Sequence, residues 1–294
     1  MIRPGMMRRL LGPFSALLVL GFAGGAAAAP PMWIVKDKDS ELVLFGSVHV
    51  LPPGLDWEPA ALKRAIARAD DIWFELPVDA ATEGDTAKVA TSLGVLPPDQ
   101  SLFRLLPKED SERLARVAQA YGASPMLLDR LRPWLAEIAL AGAAYRRAGA
   151  ETALGVEQAL AAEAPARATR RAFETPAEQL AIFADTPMEE QLASLRQTLK
   201  ELEDDPDEYE KLLKAWIAGD VAGLDREALE PLRKASPTLF RRVVTDRNER
   251  WVSALTARLK GRGRTVVVVG VGHLIGAGGL PARLRALGYS VQGP

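Results

Sequence analysis

Residues 265–273 read TVVVVGVGH, and residues 41–49 read ELVLFGSVH. The first is a run of β-branched residues, the pattern of a strand covered on both faces. Each stretch closes on Gly-x-x-His, and His49 and His273 are the two histidines of the chain. Parallel strands deliver the groups at their carboxyl ends to one edge of a sheet, where α/β folds place their ligands. If these two strands are parallel neighbours, two imidazoles from opposite ends of the sequence converge.

Working outward, Met32 to Val35, a KDKDS turn and Glu41 to Val50 predict a β-hairpin, because two apolar runs flank a tight polar turn. The spacing of Trp57, Leu62 and Ile66 predicts a helix, and Asp71 to Leu76 a short strand. From about Leu102 to Leu259 apolar residues recur at three- and four-residue steps: Leu114/Val117/Tyr121, Trp134/Ile138/Ala141/Tyr145, Leu192/Leu195/Leu199 and Leu239/Val243/Trp251/Leu255. One strand, Ala168 to Glu174, interrupts them, and Thr175-Pro176-Ala177-Glu178 then opens a helix with a cap, a first-turn proline and a capping-box glutamate. A helix from Leu280 to Leu287 and a strand near Tyr289 to Gln292 end the chain. The expected fold is α/β (α+β), with a mixed central sheet made by the two ends of the chain and a large helical insertion over about 100–260. Residues 30–294 form a single domain in this reading. The acidic run ELEDDPDEYE at 201–210, broken by a proline and lacking ligand spacing, predicts a solvated helix break.

Composition removes several function classes. The 294 residues carry 37 Lys and Arg against 38 Asp and Glu, so no basic surface waits for phosphates and nucleic acid is not an expected partner. With no cysteine there is no disulfide framework, thiolate metal site or cysteine nucleophile. Residues 1–29 combine Arg3, Arg8 and Arg9 with a short apolar stretch and a run of small residues, the pattern of a secretory signal peptide cut after Ala28. The apolar stretch, interrupted by Pro13 and Gly21, is shorter than the ~20 residues a spanning helix needs. The expected product is a periplasmic or secreted protein with no stable membrane anchor after cleavage.

Two further expected strands end in a carboxylate, Glu75 in DIWFEL and Glu174 in ATRRAFE. With His49 and His273 they form a nitrogen and oxygen donor set suited to zinc, manganese or cobalt. Each residue also has a structural reading: a histidine after a strand commonly serves a turn or core, and Glu174 precedes a helix N-terminus that favours negative charge. Glu75 lies between large apolar neighbours, where an ionised carboxylate costs several kcal/mol unless a cation or metal pairs it. No HExxH, Gly-x-Ser-x-Gly or phosphate-loop motif is present, and GVGHLIGAGG lacks the third glycine of a dinucleotide fingerprint.

FGSVHVLP, FELP, RPW at 132–134, GVEQAL at 155–160, FETPAEQL at 173–180, DRNERW at 246–251 and VGVGHLIGAGGLPARLRALGYSV, in this order, resemble the TraB/GumN family, related to the TIKI proteases. The resemblance implies an α/β core with a helical insertion and a metal-dependent hydrolase site, peptidase-like in TIKI members and served by manganese or cobalt. It places the family's histidines on His49 and His273, its early glutamate on Glu75, its Glu-Thr motif on Glu174, its Arg-Asn pair on Arg247 and Asn248, and a weaker acidic position on Glu157. The implied scheme has a divalent ion on His49, His273 and a carboxylate, with Glu75 or Glu174 as proton acceptor. Arg247 and Asn248 stabilise the oxyanion of a peptide or other carbonyl substrate. The competing expectation is a non-catalytic periplasmic binding or regulatory protein for a peptide, haem or a metal, or an accessory of polysaccharide export.

Overall fold

The structure is a computed structural model that describes residues 29–294. The leader expected over residues 1–29 lies outside the described residues but for Ala29. Six strands form one mixed sheet: β1 (Met32–Lys36), β2 (Ser40–Ser47), β3 (Asp71–Phe74), β4 (Thr169–Ala172), β5 (Gly263–Gly270) and β6 (Ser290–Gln292), in the order β4-β3-β5-β2-β1-β6. β2 and β5 are parallel neighbours, in register from Ser40 opposite Gly263 to Ser47 opposite Gly270. β3 runs parallel to both β5 and β4, whereas β1 is antiparallel to β2 and to β6. The expected mixed sheet is therefore present, and both Gly-x-x-His segments leave it from one edge.

Covalent order and spatial order diverge for a simple physical reason. Val266 to Val269 are at most 1 % exposed, so β5 needs covering strands on both sides and helices on both faces. At roughly 1.5–3 kcal/mol for each fully buried valine, this run is a large favourable contribution to assembling the sheet. Phe45, Trp57 and Trp216 pack together beside it, and the buried Trp216 indole donates to the carbonyl of Gly46 at 2.7 Å. A second core lies within the helical part, built on Leu102, Leu114, Val117, Leu140, Leu195 and Leu199.

The cap at residues 175–178 is a full capping box: Thr175 Oγ1 accepts from Glu178 N, and the Glu178 carboxylate accepts from Thr175 N at 2.8 Å. Three features depart from the sequence reading. The helix expected around Leu62 and Ile66 spans Ala60–Arg68, and the helical insertion begins earlier than expected, with Ala80–Gly94, whose sparse apolar residues give no clear stripe and whose one buried residue is Gly94. In the Pro133–Arg147 helix Ala136, Leu140 and Ala143 are buried on one face, while of the expected stripe Trp134 is buried against Leu180 and Phe183 and Ile138, Ala141 and Tyr145 line a cavity. The acidic run does break the helices, between Met188–Asp204 and Glu208–Ala218, but Glu208 is half-buried rather than solvated. Among the described residues no helix is long and apolar enough to cross a membrane.

Candidate active site at the sheet edge

β2 ends at Ser47, and His49 follows two residues later at the sheet edge. Its Nδ1 lies 2.8 Å from Glu157 Oε1, which also accepts from the Ser47 hydroxyl at 2.5 Å. Glu157 is delivered by the first turn of the Val156–Glu163 helix, whose first amide donates to Val48 O at 3.2 Å. Gly155 permits this approach, since a Cβ there would collide with the carbonyl of His49. The Glu157 carboxylate raises His49 to about 9, with desolvation opposing it more weakly. Although its imidazole side chain is 65 % exposed, one nitrogen is committed to Glu157.

The second histidine is enclosed. β5 ends at Gly270 and a single 3₁₀ turn, Val271–His273, carries the ring inward. His273 Nδ1 meets Asn248 Oδ1 at 2.7 Å, and the Asn248 amide donates to the carbonyls of His273 and Gly278. Burial, reinforced by the charge of Arg247, lowers His273 to about 3, so the ring is neutral. Neutral imidazole donating from Nδ1 leaves Nε2 as an acceptor, and Arg247 Nη1 occupies it at 2.9 Å. The Trp251 ring packs on both partners, 4.4 Å from the His273 centroid and 4.5 Å from the guanidinium carbon.

Arg247 is the hub of the site. It projects from the first turn of the Asp246–Leu259 helix, directly after a π-helical turn at Arg241–Thr245, a widening common at functional positions. Its guanidinium donates to Glu75 Oε2 at 2.5 Å, to both oxygens of Glu174 at 2.9–3.1 Å, and to the carbonyl of Val243 at 3.2 Å. Arg247, Glu75 and Glu174 are 4, 8 and 6 % exposed, so the expectation that Glu75 needs a cationic partner is met by this guanidinium. Burial alone would push Glu75 up. Arg247, His49 and the Gly270 amide, which donates to Oε1 at 2.7 Å, outweigh it and bring Glu75 down to about 2.

Both imidazoles face one corner. A Cβ on Gly270 would stand 3.2 Å from Glu75 Oε1, 3.7 Å from His49 Nε2 and 3.9 Å from the His273 ring. The structure therefore gathers His49, His273, Glu75, Glu174, Arg247 and Asn248 at one edge, with Glu157 supporting them. Gln179, which donates to Glu75 Oε2 at 3.1 Å, and Arg250, which donates to Glu174 at 3.1 Å, were not singled out from sequence. Gln179 lies one turn beyond the Thr175 cap and Arg250 one turn beyond Arg247, and that helical spacing was the signal available. Among the described residues no three His, Cys, Asp or Glu side chains are already gathered as a metal cluster. A cavity of about 480 Å³ opens beside His49, Glu75 and Glu157, walled by Pro77, Val78 and the Ala80–Gly94 helix.

The uncharacterized protein YbaP of Escherichia coli (strain K12) is 25% identical over 257 residues, spanning 87% of this chain and 92% of that protein. YbaP of Shigella flexneri is 25% identical over 243 residues, spanning 82% and 87%. The profile of the TraB/PrgY/gumN family matches residues 31–293, the whole sheet and both Gly-x-x-His segments included. The chain belongs to the TraB/PrgY/gumN family.

Proposed function

We propose that this protein is an exported, metal-dependent hydrolase, peptidase-like, that works at the His49–Glu75–His273 corner. The observation that carries the reading is the outer support of the two rings. His49 Nδ1 is tied to Glu157 and His273 Nδ1 to Asn248, so each Nε2 turns to the corner, where that of His49, kept protonated by Glu157, gives up its proton to a metal and that of His273 is met by Arg247 Nη1. Imidazole ligands are commonly fixed in this way by a carboxylate or carbonyl on the far nitrogen. The donor set, two imidazoles and Glu75, fits manganese, cobalt or zinc. Arg247 Nη1 competes for His273 Nε2, so holding an ion there requires the guanidinium to withdraw from that nitrogen.

A divalent ion held by His49, His273 and Glu75 would supply a water with its pKa brought down towards roughly 7. Glu75 Oε1, 3.9 Å from His273 Nε2, is the carboxylate oxygen that faces the corner. Withdrawn from His273 Nε2, Arg247 Nη1 would offer a charged donor to a developing oxyanion. Glu174 is neutralised by Arg247 and Arg250 and acts by positioning the guanidinium. Asn248 is fully buried with both amide hydrogens donated, so in this scheme it positions His273 rather than touching substrate. The cavity beside His49 would receive a peptide or another carbonyl substrate, and the arginine-led, small-residue-ended leader supports export.

The test is a thermal-shift series with manganese, cobalt, zinc and calcium on the wild type, His49→Ala and His273→Ala, followed by a peptide-library digest. A ligand at about 100 times its Kd adds roughly 2.7 kcal/mol to the native state, so one or more ions should raise the wild-type midpoint and lose that effect in both variants. Identical responses of all three proteins to every ion would remove the metal site. Metal binding with no cleaved peptide would remove the peptidase assignment.

A further inference from the structure

A cavity of about 610 Å³ in the helical part shares no lining residue with the cavity at the sheet edge. It lies between the Pro133–Arg147, Met188–Asp204 and Glu208–Ala218 helices. Its walls combine two features that rarely meet by accident. One is aromatic: Tyr145 and Tyr209 are in contact with centroids 5.2 Å apart, and Trp134 stacks on Phe183 at 6.2 Å. The other is acidic, with Glu137, Glu201, Asp205, Asp207, Glu208 and Glu210 against a single lining cation, Arg147.

The local cations are already engaged. Arg147 donates to Ala120 O and lies over the Tyr121 ring, Lys211 pairs with Asp205 at 2.5 Å, and Lys214 pairs with Glu210 at 3.8 Å. Glu137 and Glu208 form no ion pair among the described residues; Glu137 has only the hydroxyls of Ser194 and Thr198, at 3.0 and 2.9 Å. Burial, then Glu201 and Asp205, push Glu208 up to about 7, the mark of a carboxylate that lacks a counter-charge. Gln191, 2 % exposed and also in the wall, gives its amide hydrogens to Thr186 O and Ala184 O and leaves Oε1 without a donor. Unpaired acceptors beside aromatic faces suit a cation that carries its own apolar surface: the carboxylates take the charge and the rings take the body.

We propose that this cavity is a binding site for an organic cation, a protonated amine or guanidinium on an apolar stem. A free amine and a lysine or arginine side chain of a peptide share this chemistry.

The test is calorimetric titration of the full chain with 4-phenylbutylamine, its uncharged analogue 4-phenyl-1-butanol, its acidic analogue 4-phenylbutyrate, and the dipeptide Ac-Phe-Lys-NH2. Saturable binding of one or both amine-bearing probes is expected, at least about tenfold tighter than the alcohol, with no binding of the acid. Binding of the dipeptide identifies a peptide side chain as the source, and binding of the free amine alone identifies a small molecule. Glu137→Gln with Glu208→Gln should weaken the amine about tenfold or more and leave the alcohol unchanged. Ala141→Phe, which fills the cavity without altering charge, should abolish both, and circular dichroism confirms that each variant is folded. Equal affinity for amine and alcohol, unchanged amine affinity in the folded double variant, or no saturable amine binding up to about 1 mM would overturn the proposal.

Discussion

Replacing Arg247 with methionine tests whether the sheet edge is held together by one buried cation. In the wild type the guanidinium is 4 % exposed and makes its contacts to Glu75, Glu174, His273 and Val243 O at once. Methionine keeps much of the stem volume and the packing on Trp251, so the loss is mainly electrostatic. Breaking a buried pair by removing one partner costs about 3–5 kcal/mol, because the other charge stays behind. Here Glu174 keeps Arg250, and Glu75 keeps Gln179 and the Gly270 amide, so the low end, about 3 kcal/mol, applies. For a domain of this size that is a fall of roughly 6–12 °C in melting temperature, read by calorimetry near neutral pH. Adding Glu75→Gln and Glu174→Gln to Arg247→Met removes the stranded charges and should recover at least half of the loss. A single variant that melts within about 1 kcal/mol of wild type, or a triple variant no more stable than the single, would refute the reasoning. Manganese should also stabilise Arg247→Met more than wild type, because His273 Nε2 is released.

Other perturbations test separate links. Gly155→Ala should lower stability by about 1–3 kcal/mol in urea melts, since its Cβ meets the carbonyl of His49. Trp216→Phe strands the Gly46 carbonyl and should cost about 1–3 kcal/mol by the same measurement. Glu208 is raised to about 7 in the folded chain, so between its ordinary value of 4.5 and 7 the native state binds more protons than the unfolded one. Stability then falls as pH rises through that window; Glu208→Gln should flatten the slope, which urea midpoints at about pH 5 and pH 8 would show. Without metal, His49→Ala should lower the midpoint by about 1 kcal/mol or less, because the ring is largely exposed and Glu157 keeps the Ser47 hydroxyl, whereas His273→Ala should lower it by about 1–3 kcal/mol through loss of buried contacts to Asn248 and Trp251. Equal apo midpoints for the two variants would contradict the difference in enclosure.

Much of this architecture is legible in the sequence because two kinds of pattern are strong. TVVVV can satisfy its β-branched side chains only inside a sheet, and the twin Gly-x-x-His endings point to a shared edge. Thr175 and Glu178 announce their capping box by type and spacing. Hydrophobic period fails where a helix faces something other than core. Ile138, Ala141 and Tyr145 follow the buried Trp134 at the right spacing but line a cavity, while Ala136, Leu140 and Ala143 bury the opposite face. Ala80–Gly94 has no apolar stripe to read, because its apolar packing against the rest of the fold rests on Val89, Ala90, Leu93 and the buried Gly94. The donors around Glu75 were only partly legible. Its need for a cation follows from its neighbours, but that the cation is Arg247, far along the chain, is a tertiary fact.

The pairing of β1 with β6 joins the beginning and the end of the described chain in one ladder, Ile34 opposite Gln292. A polypeptide emerging from a ribosome therefore cannot complete this ladder until residues 290–292 appear, and β2 must wait for β5 at residues 263–270. Such remote pairings carry the loop-closure cost that slows folding. The hairpin of β1 and β2 is left meanwhile with unmatched backbone along both outer edges, open to wrong partners. Delay before assembly is thus built into the topology, and a chaperone that shields residues 32–47 would shorten aggregation-prone exposure more than one acting on the helices.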